Sequence, residues 1–381
     1  MDMKNLVIGC GFAGASIARK LAEAGEQAEI IERRAHIGGN AYDAPDAYGI
    51  LIHVYGPHIF HTNDEEVYRF LSRFTAWRPY VHRVAASVHG KLLPVPFNLR
   101  SLRIAFADEA EMLTQRLKGA YGEETSVSVL EMMRSEDPQI RRVAQYVYDH
   151  IFLRYTMKQW GQTPEMIDPA VTARVPVRIS EDDRYFQDRW QGMPSEGYTA
   201  LFARMLDHPH ITLTLGTDAR SVLRFDGSQH KIWYRDQPFD GRVIFTGAVD
   251  ELADHVYGPL PYRSLRFEHL HADQEHVQPY AVVNYTVSEP FTRITEFKYL
   301  SGQQASSTSY VREYPLPRTT LDQEPYYPIA NAENEALYAR YAERLACFPQ
   351  VYLLGRLAQY RYYNMDAVVK EALRLAEELT R

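Results

Sequence analysis

Asn5-Leu6-Val7-Ile8-Gly9-Cys10-Gly11-Phe12-Ala13-Gly14 is the stretch on which the fold of this chain turns. Its first four residues read as a short buried strand, and the glycines at 9, 11 and 14 follow as G-x-G-x-x-G. Ala15, Ile17, Ala18, Leu21 and Ala22 then recur at helical spacing, so the glycines stand where a strand turns into a helix. Gly9 permits the tight turn and Gly11 lets backbone approach a pyrophosphate. Gly14 lets the helix lie close on the strand, while the helix N-terminus offers free N–H groups to phosphates. Ala28-Glu29-Ile30-Ile31 reads as the second strand and ends at Glu32, an acid able to accept hydrogen bonds from a ribose. A lone glycine motif is weak. Strand, glycines, helix, second strand and terminal acid in one βαβ unit point to a dinucleotide-binding fold.

The chain continues Arg33-Arg34-Ala35-His36-Ile37-Gly38-Gly39-Asn40-Ala41. An Arg, four residues and then a Gly pair resembles the extended motif of FAD-binding proteins of the glutathione-reductase type. Gly38-Gly39 would let backbone pass close to the ribityl and phosphate groups, and Asn40 could donate to them. The plain alternative is a glycine-rich surface turn.

A chain of 381 residues, 45% hydrophobic, is long enough for two to three domains and a sizeable core. It holds no run of eighteen apolar residues and opens directly into a strand, so we expect neither membrane insertion nor a signal peptide, and a cytoplasmic location. Cys10 and Cys347, far apart in sequence, fit packing roles better than a disulfide framework or a metal site. A net charge of −7 argues against a general nucleic-acid surface, so an anionic ligand must be met locally. The 27 tyrosines, clustered late in Arg-Tyr and Tyr-Tyr runs, suit recognition of bases and sugars, although most should be ordinary half-buried residues.

After the βαβ unit, histidines at 53, 58 and 61 flank Gly56-Pro57. Their spacing lacks the context of known zinc motifs, so no metal is expected and a loop facing a flavin reads better. Asn63-Asp64-Glu65-Glu66 caps a helix with Val67, Phe70, Leu71 and Phe74 on its apolar face. Residues 80–96 alternate as strands, with Tyr80, His82, Val84, Ala86 and Val88 on one face. Residues 99–150 turn helical, over Glu109 to Leu117, Val127 to Met133 and Ile140 to Phe152, as a separate insert. Tyr155 and Trp160 could form a base-stacking lip. Residues 164–195 read as an ordered but mobile loop followed by a strand, with Arg174 a candidate diphosphate clamp because a guanidinium presents paired donors. An α/β pattern returns with the helix Tyr198 to Leu206 and strands at Ile211 to Leu215 and Val243 to Gly247. From 262 to 330 the signal is β, over Tyr280 to Val287, Ile294 to Leu300 and Thr308 to Tyr314. The chain ends in a strand at Val351 to Leu354, Gly355-Arg356 and an amphipathic helix from Met365 to Leu379. The expected architecture is α/β: a Rossmann-like FAD-binding domain (1–75, 192–255 and 340–381), a helical domain (97–170), and an antiparallel β-sheet domain with a mobile substrate loop (76–96, 171–191 and 256–339).

Six blocks in this order carry a specific resemblance. They are Gly38-Gly39-Asn40-Ala41-Tyr42, residues 55–63, Tyr155-Thr156-Met157-Lys158-Gln159-Trp160-Gly161, Pro261-Tyr262-Arg263-Ser264-Leu265, Glu324-Pro325-Tyr326-Tyr327-Pro328 and residues 355–365. Together they resemble bacterial UDP-galactopyranose mutases. The resemblance implies a non-redox isomerase that interconverts UDP-galactopyranose and UDP-galactofuranose, a precursor of cell-surface glycans. In that family N5 of reduced FAD attacks the anomeric carbon and UDP leaves; a flavin iminium adduct then lets the sugar ring open and reclose. Such a mechanism needs no Ser-His-Asp constellation. An external reductant such as NAD(P)H and a homodimer or higher homo-oligomer are also expected.

Carried over onto this sequence, the resemblance makes Arg174 and Arg293 the diphosphate arginines that stabilise departing UDP. It makes Ile151, Tyr155, Thr156 and Trp160 the uridine site. His82, Tyr185, Asn284, Tyr314 and Tyr362 become further substrate contacts. The flavin would lie against Gly9, Gly11, Ala13, Gly14, Glu32, Arg33, Gly39, Asn40, His58, Ile59, Asp218, Ala219, Gly355, Arg356, Tyr363, Asn364 and Met365. Arg356 stands where many flavoproteins have Asp, and a cation there favours an electron-rich reduced flavin. His82 replaces a usual Asn, Ile151 a usual aromatic and Asn364 a usual Asp. The competing readings are an FAD-dependent oxidoreductase of the amine-oxidase or desaturase type, which would consume reductant or oxygen, and a flavin or UDP-sugar sensor without turnover.

Overall fold

A computed structural model of the protein describes residues 5–160 and 176–381. Residues 161–175, with Arg174 and the first part of the expected mobile loop, and the side chain of Trp160 lie outside the described residues.

A five-stranded parallel sheet organises the first layer, in the spatial order Ile211–Thr214, Ala28–Ile31, Asn5–Ile8, Arg242–Phe245 and Val351–Leu353. Its two central strands carry no exposed residue because helices or a second sheet cover both faces. On one face the helices Phe12–Glu23, Tyr198–Leu206 and Met365–Thr380 pack together. On the other, a three-stranded meander (Leu223–Asp226, Lys231–Tyr234 and Gln237–Phe239) and the helix Ala332–Ala346 enclose a second apolar cluster. Sequence periodicity did not single out the meander, whose strands are short and whose turns hold the positive-φ residues His230, Arg235 and Asp236.

The second layer is a seven-stranded sheet in the order Tyr327–Pro328, Tyr262–Ala272, Thr308–Pro317, Arg293–Glu296, Val282–Tyr285, Val84–Val88 and Lys91–Val95. It is not wholly antiparallel as expected. Val282–Tyr285 runs parallel to Val84–Val88, with Val282 opposite Val84, because a hairpin from the first third of the chain adds to a sheet made by the last third. The expected strand from Ile294 to Leu300 stops at Glu296 and becomes the helix Phe297–Ser301, which Gly302 ends at φ 75°. Tyr80 to Arg83 precede the strand Val84–Val88 rather than extending it.

The insert is largely helical, with two corrections. Thr125–Ser128 is a strand paired with Pro176–Ile179, so the helix expected from Val127 begins at Val129, where Ser128 caps it by accepting from the Glu131 N–H. The long helix expected over Ile140 to Phe152 divides into Pro138–Val147, started by Asp137 and Pro138, then a π turn at Tyr148–Leu153 and the helix Arg154–Trp160. Cys10 is buried as expected, but Cys347 is exposed at the end of Ala332–Ala346 rather than a packing residue. No helix among the described residues is long and apolar enough to cross a membrane.

Candidate functional site

A cleft enclosing about 1340 Å³ of space, part of it open to solvent, lies at the carboxyl ends of the parallel strands, where such sheets bind ligands. Its floor is the first glycine turn. Gly9 sits at φ 102°, and a Cβ there would come 2.2 Å from Thr246 Oγ1, which itself donates to Ile8 O. The Cys10 carbonyl accepts from the Gly38 N–H at 2.9 Å, and a Cβ on Gly39 would come 2.8 Å from Gly11 Cα. Bare backbone therefore lines the cleft from two loops at once, a cradle that fits a diphosphate and would be filled by any side chain. The helices Phe12–Glu23 and Met365–Thr380 begin at its wall with Gly11 and Asn364 at their N-cap positions, and no side chain caps either. At Phe12–Glu23 the first N–H groups point to the cleft for an anion, whereas in Met365–Thr380 the Ala367 N–H already donates to Asp366 Oδ1 at 2.8 Å.

Fifteen of the seventeen expected cofactor residues line this cleft; Gly14 and Ile59 do not. Gly14 serves packing instead: a Cβ there would lie 1.9 Å from Gly9 O. Ile59 packs on the main core. Glu32 is buried, and its carboxylate accepts from the Cys10 N–H at 2.8 Å and the Arg34 N–H at 2.9 Å. It holds both cleft loops together, and a carboxylate retains lone pairs for a ribose hydroxyl after two such bonds. Asp218 caps the short helix Ala219–Val222 and pairs with Arg220. Burial, reinforced by Glu32, pushes the Cys10 thiol up to about 12, so it is no nucleophile.

At the inner end, Gly355 and Arg356 join the cleft to a polar face of the large sheet. Arg356 donates to Tyr363 O at 2.6 Å and lies over the rings of Tyr327 and Tyr362, at 5.2 and 5.1 Å. Arg293 lies opposite Glu313 on the neighbouring strand, and its Nε and Nη2 both donate to Glu313 Oε2, at 2.9 and 2.8 Å. Burial disfavours the guanidinium charge, but Glu313, Tyr155 and Tyr327 together hold its pKa above the ordinary arginine range. Burial keeps Tyr155, Tyr185 and Tyr327 protonated within electrostatic reach of Arg293. Asn284 stands directly across from Arg293 on the same sheet face, and Tyr362 is exposed at the rim. His82 is buried, with Nδ1 3.1 Å from the Tyr80 hydroxyl and its ring beside Tyr185 at 5.6 Å. Thr156 is buried, and Ile151 packs on the main core.

Tyr314 does not join this group. It follows Glu313 on one strand and so points to the opposite sheet face, where its hydroxyl donates to Glu268 and Arg266 lies 3.8 Å over its ring. Glu313 and Tyr327 are the residues the sequence reading did not place here. Alternation along Thr308–Pro317 carries the signal for Glu313, which shares its face with buried Val311. The assembled face offers a fixed cation, neutral phenols and neutral imidazoles, a set that binds an anionic, hydroxyl-rich ligand.

Burial lowers three histidines here, His53 to about 4 and His58 and His82 to about 3. His58 Nδ1 donates to Gly56 O, consistent with a neutral ring. The unfolded chain therefore takes up protons that the folded protein refuses, so stability is full above the unfolded histidine pKa, about 6.5, and is lost as pH falls towards 3 to 4. Thermal melts should show Tm falling from pH 7 to pH 5 by the equivalent of roughly 2 kcal/mol per histidine, and a shallower fall in His82→Asn. A Tm flat over that range in the wild-type protein is the contrary result.

Residues 150–362 match the family profile for UDP-galactopyranose mutase, and residues 7–74 match an NAD(P)-binding Rossmann-like domain. The chain is similar to a probable UDP-galactopyranose mutase of Klebsiella pneumoniae, at 36% identity over 99% of this chain and 95% of the relative. It is also similar to a dTDP-fucopyranose mutase of Escherichia coli, at 35% identity over 98% and 97%. Its fold matches a crystal structure of a reduced UDP-galactopyranose mutase with a TM-score of 0.72, at 16% identity over 99% of this chain and 95% of that one.

Proposed function

The chain belongs to the UDP-galactopyranose mutase family, and from that premise we propose that it interconverts UDP-galactopyranose and UDP-galactofuranose with FAD held in the glycine-lined cleft. The observation that carries this reading is the placement of Arg293, Tyr155, Tyr185 and Tyr327 together, with Arg356 joining their face to the cleft. When bound and reduced, the flavin supplies a nucleophilic N5 for the anomeric carbon. The rest falls to the chain. Arg293, fixed by Glu313, faces the diphosphate and stabilises the charge that develops as UDP departs. Arg174 is assigned the same role from its sequence position. Tyr155 offers a ring to the uracil, and the neutral hydroxyls of Tyr185 and Tyr327 donate to phosphate or sugar oxygens. The cationic side chain of Arg356 favours the anionic reduced ring. An NAD(P)H-class reductant keeps the cofactor active, and the product feeds galactofuranose into cell-surface glycans.

Dithionite-reduced protein given UDP-galactofuranose should yield UDP-galactopyranose without net loss of reductant, and the oxidised protein should not. Absence of turnover in the reduced state overturns the reading, and stoichiometric consumption of reductant would assign the protein to redox chemistry instead. Nearly equal similarity to the dTDP-fucopyranose mutase supports a second reading, ring contraction of a dTDP-deoxyhexose. Assaying both nucleotide sugars side by side separates the two by kcat/KM.

A further inference from the structure

The end of the cleft marked by Glu32 is crossed by an ion-pair network that the proposed chemistry does not use. Arg33 and Arg34, which follow the second parallel strand, both reach Glu324 Oε2, Arg34 at 3.0 Å. Arg33 also lies 3.5 Å from Glu251, which in turn pairs with Arg318 at 2.5 Å. Arg33, Arg34, Glu251 and Glu324 all line the cleft.

The two sides of this contact belong to different layers. Glu324 is tied to the large sheet, since its carbonyl accepts from Ser264 Oγ at 2.8 Å and the turn before it is held by Arg318, which donates to Gln323 O at 2.9 Å. Arg318 is only 3% exposed at its side chain, so the turn is anchored rather than draped. Arg34 is anchored likewise, donating to Asn40 Oδ1 at 2.9 Å and lying 4.1 Å over the Tyr55 ring. Isolated surface pairs contribute little, but here one carboxylate draws two adjacent guanidinium groups from the opposite layer, of which Arg34 is already immobilised. Breaking the contact frees a side chain on each lip of the cleft without disturbing its floor.

We infer that Glu324 and the Arg33-Arg34 pair form a latch across the cofactor cleft that slows the exchange of a bound flavin dinucleotide. The inference rests on the proposed reading of the cleft as an FAD site. Glu324 and Arg33 are positioning residues in this account: they govern how long the cofactor stays.

Release of FAD from the holoprotein, followed as the rise in flavin fluorescence after dilution, tests the latch. Glu324→Gln, at a partly exposed side chain, should release FAD about fivefold faster or more at low salt. Raising ionic strength from about 0.05 M to about 0.5 M should speed release from the wild type towards that of the variant and leave the variant almost unchanged. Arg33→Gln, which leaves the Arg34 pair in place, should speed release less, and the double variant should be no faster than Glu324→Gln, because the latch acts through Glu324. Release from Glu324→Gln that is unchanged or slower overturns the latch, as do effects that add in the double variant. A wild-type protein that takes up no FAD defeats the cofactor reading itself, whereas normal uptake with unaltered release defeats the latch alone.

Discussion

Arg293→Ala should lower turnover of the reduced protein by about 10²-fold or more, the loss that follows removal of one preorganised group from a site of developing negative charge. It should also cost stability. Glu313 is 1% exposed at its side chain, and among the described residues its ion-pair partner is Arg293, so truncation leaves a buried carboxylate without that partner. Breaking such a pair typically costs about 3 kcal/mol. The two effects separate in the double variant Arg293→Ala/Glu313→Gln, which removes the stranded charge. Its Tm should recover towards wild type while turnover stays low. Arg293→Lys keeps the charge but loses the two-nitrogen grip on Glu313 Oε2, and should fall between. Steady-state assays on dithionite-reduced protein, paired with thermal melts, read both axes. Near-wild-type turnover in Arg293→Ala would remove this residue from the reacting site.

Gly14→Ala should abolish FAD uptake and destabilise the fold by about 2 to 3 kcal/mol, the range of forced overpacking. The added methyl would stand 1.9 Å from Gly9 O and 3.0 Å from Gly9 C, and neither atom belongs to a side chain that can swing away. Relief requires the helix Phe12–Glu23 to lift from its strand. That motion carries the phosphate-facing N–H groups out of place and disturbs the Cys10 to Glu32 bond. Flavin absorbance after reconstitution and a thermal melt check the two parts. A protein that reconstitutes normally as Gly14→Ala would show that the turn is more pliant than its geometry indicates. Gly25, with no atom within 4 Å of an added Cβ, serves as the control. Its φ of 88° makes alanine there strained but not crowded.

The half of the molecule that carries the glycine-lined cleft was readable in advance because its determinants are local. The glycines at 9 and 11, the acid at 32 and Gly355 sit within a few residues of the strand ends that present them, so spacing nearly places them, whereas Arg356 was assigned by the resemblance. The resemblance then extended the reading to the sheet, where it was less secure. Tyr314 and Glu313 differ by one position, and one position on a strand is the difference between two faces. Only the pairing of Arg293 with Glu313 shows which face looks inward. The same limit explains the parallel pair in the large sheet, since residues 84–88 carry no mark of a partner near 282. Helix ends shifted where a cap residue outweighed apolar spacing, as at Ser128. Glu32 was read as serving a ribose alone; it lines the cleft, but its bonds to the Cys10 and Arg34 amides were not legible because they depend on two loops meeting in space.

That parallel pairing bears on how the protein assembles. Val84–Val88 has Lys91–Val95 on one side, and its other side stays open until residues 282–285 arrive. During synthesis the early hairpin must therefore wait, with an unfilled edge, for a segment made much later. Exposed edges of that kind invite association with other chains, and pairing between distant segments is slow to form. Conditions that stall the chain before its last third should yield aggregates rather than a smaller folded unit.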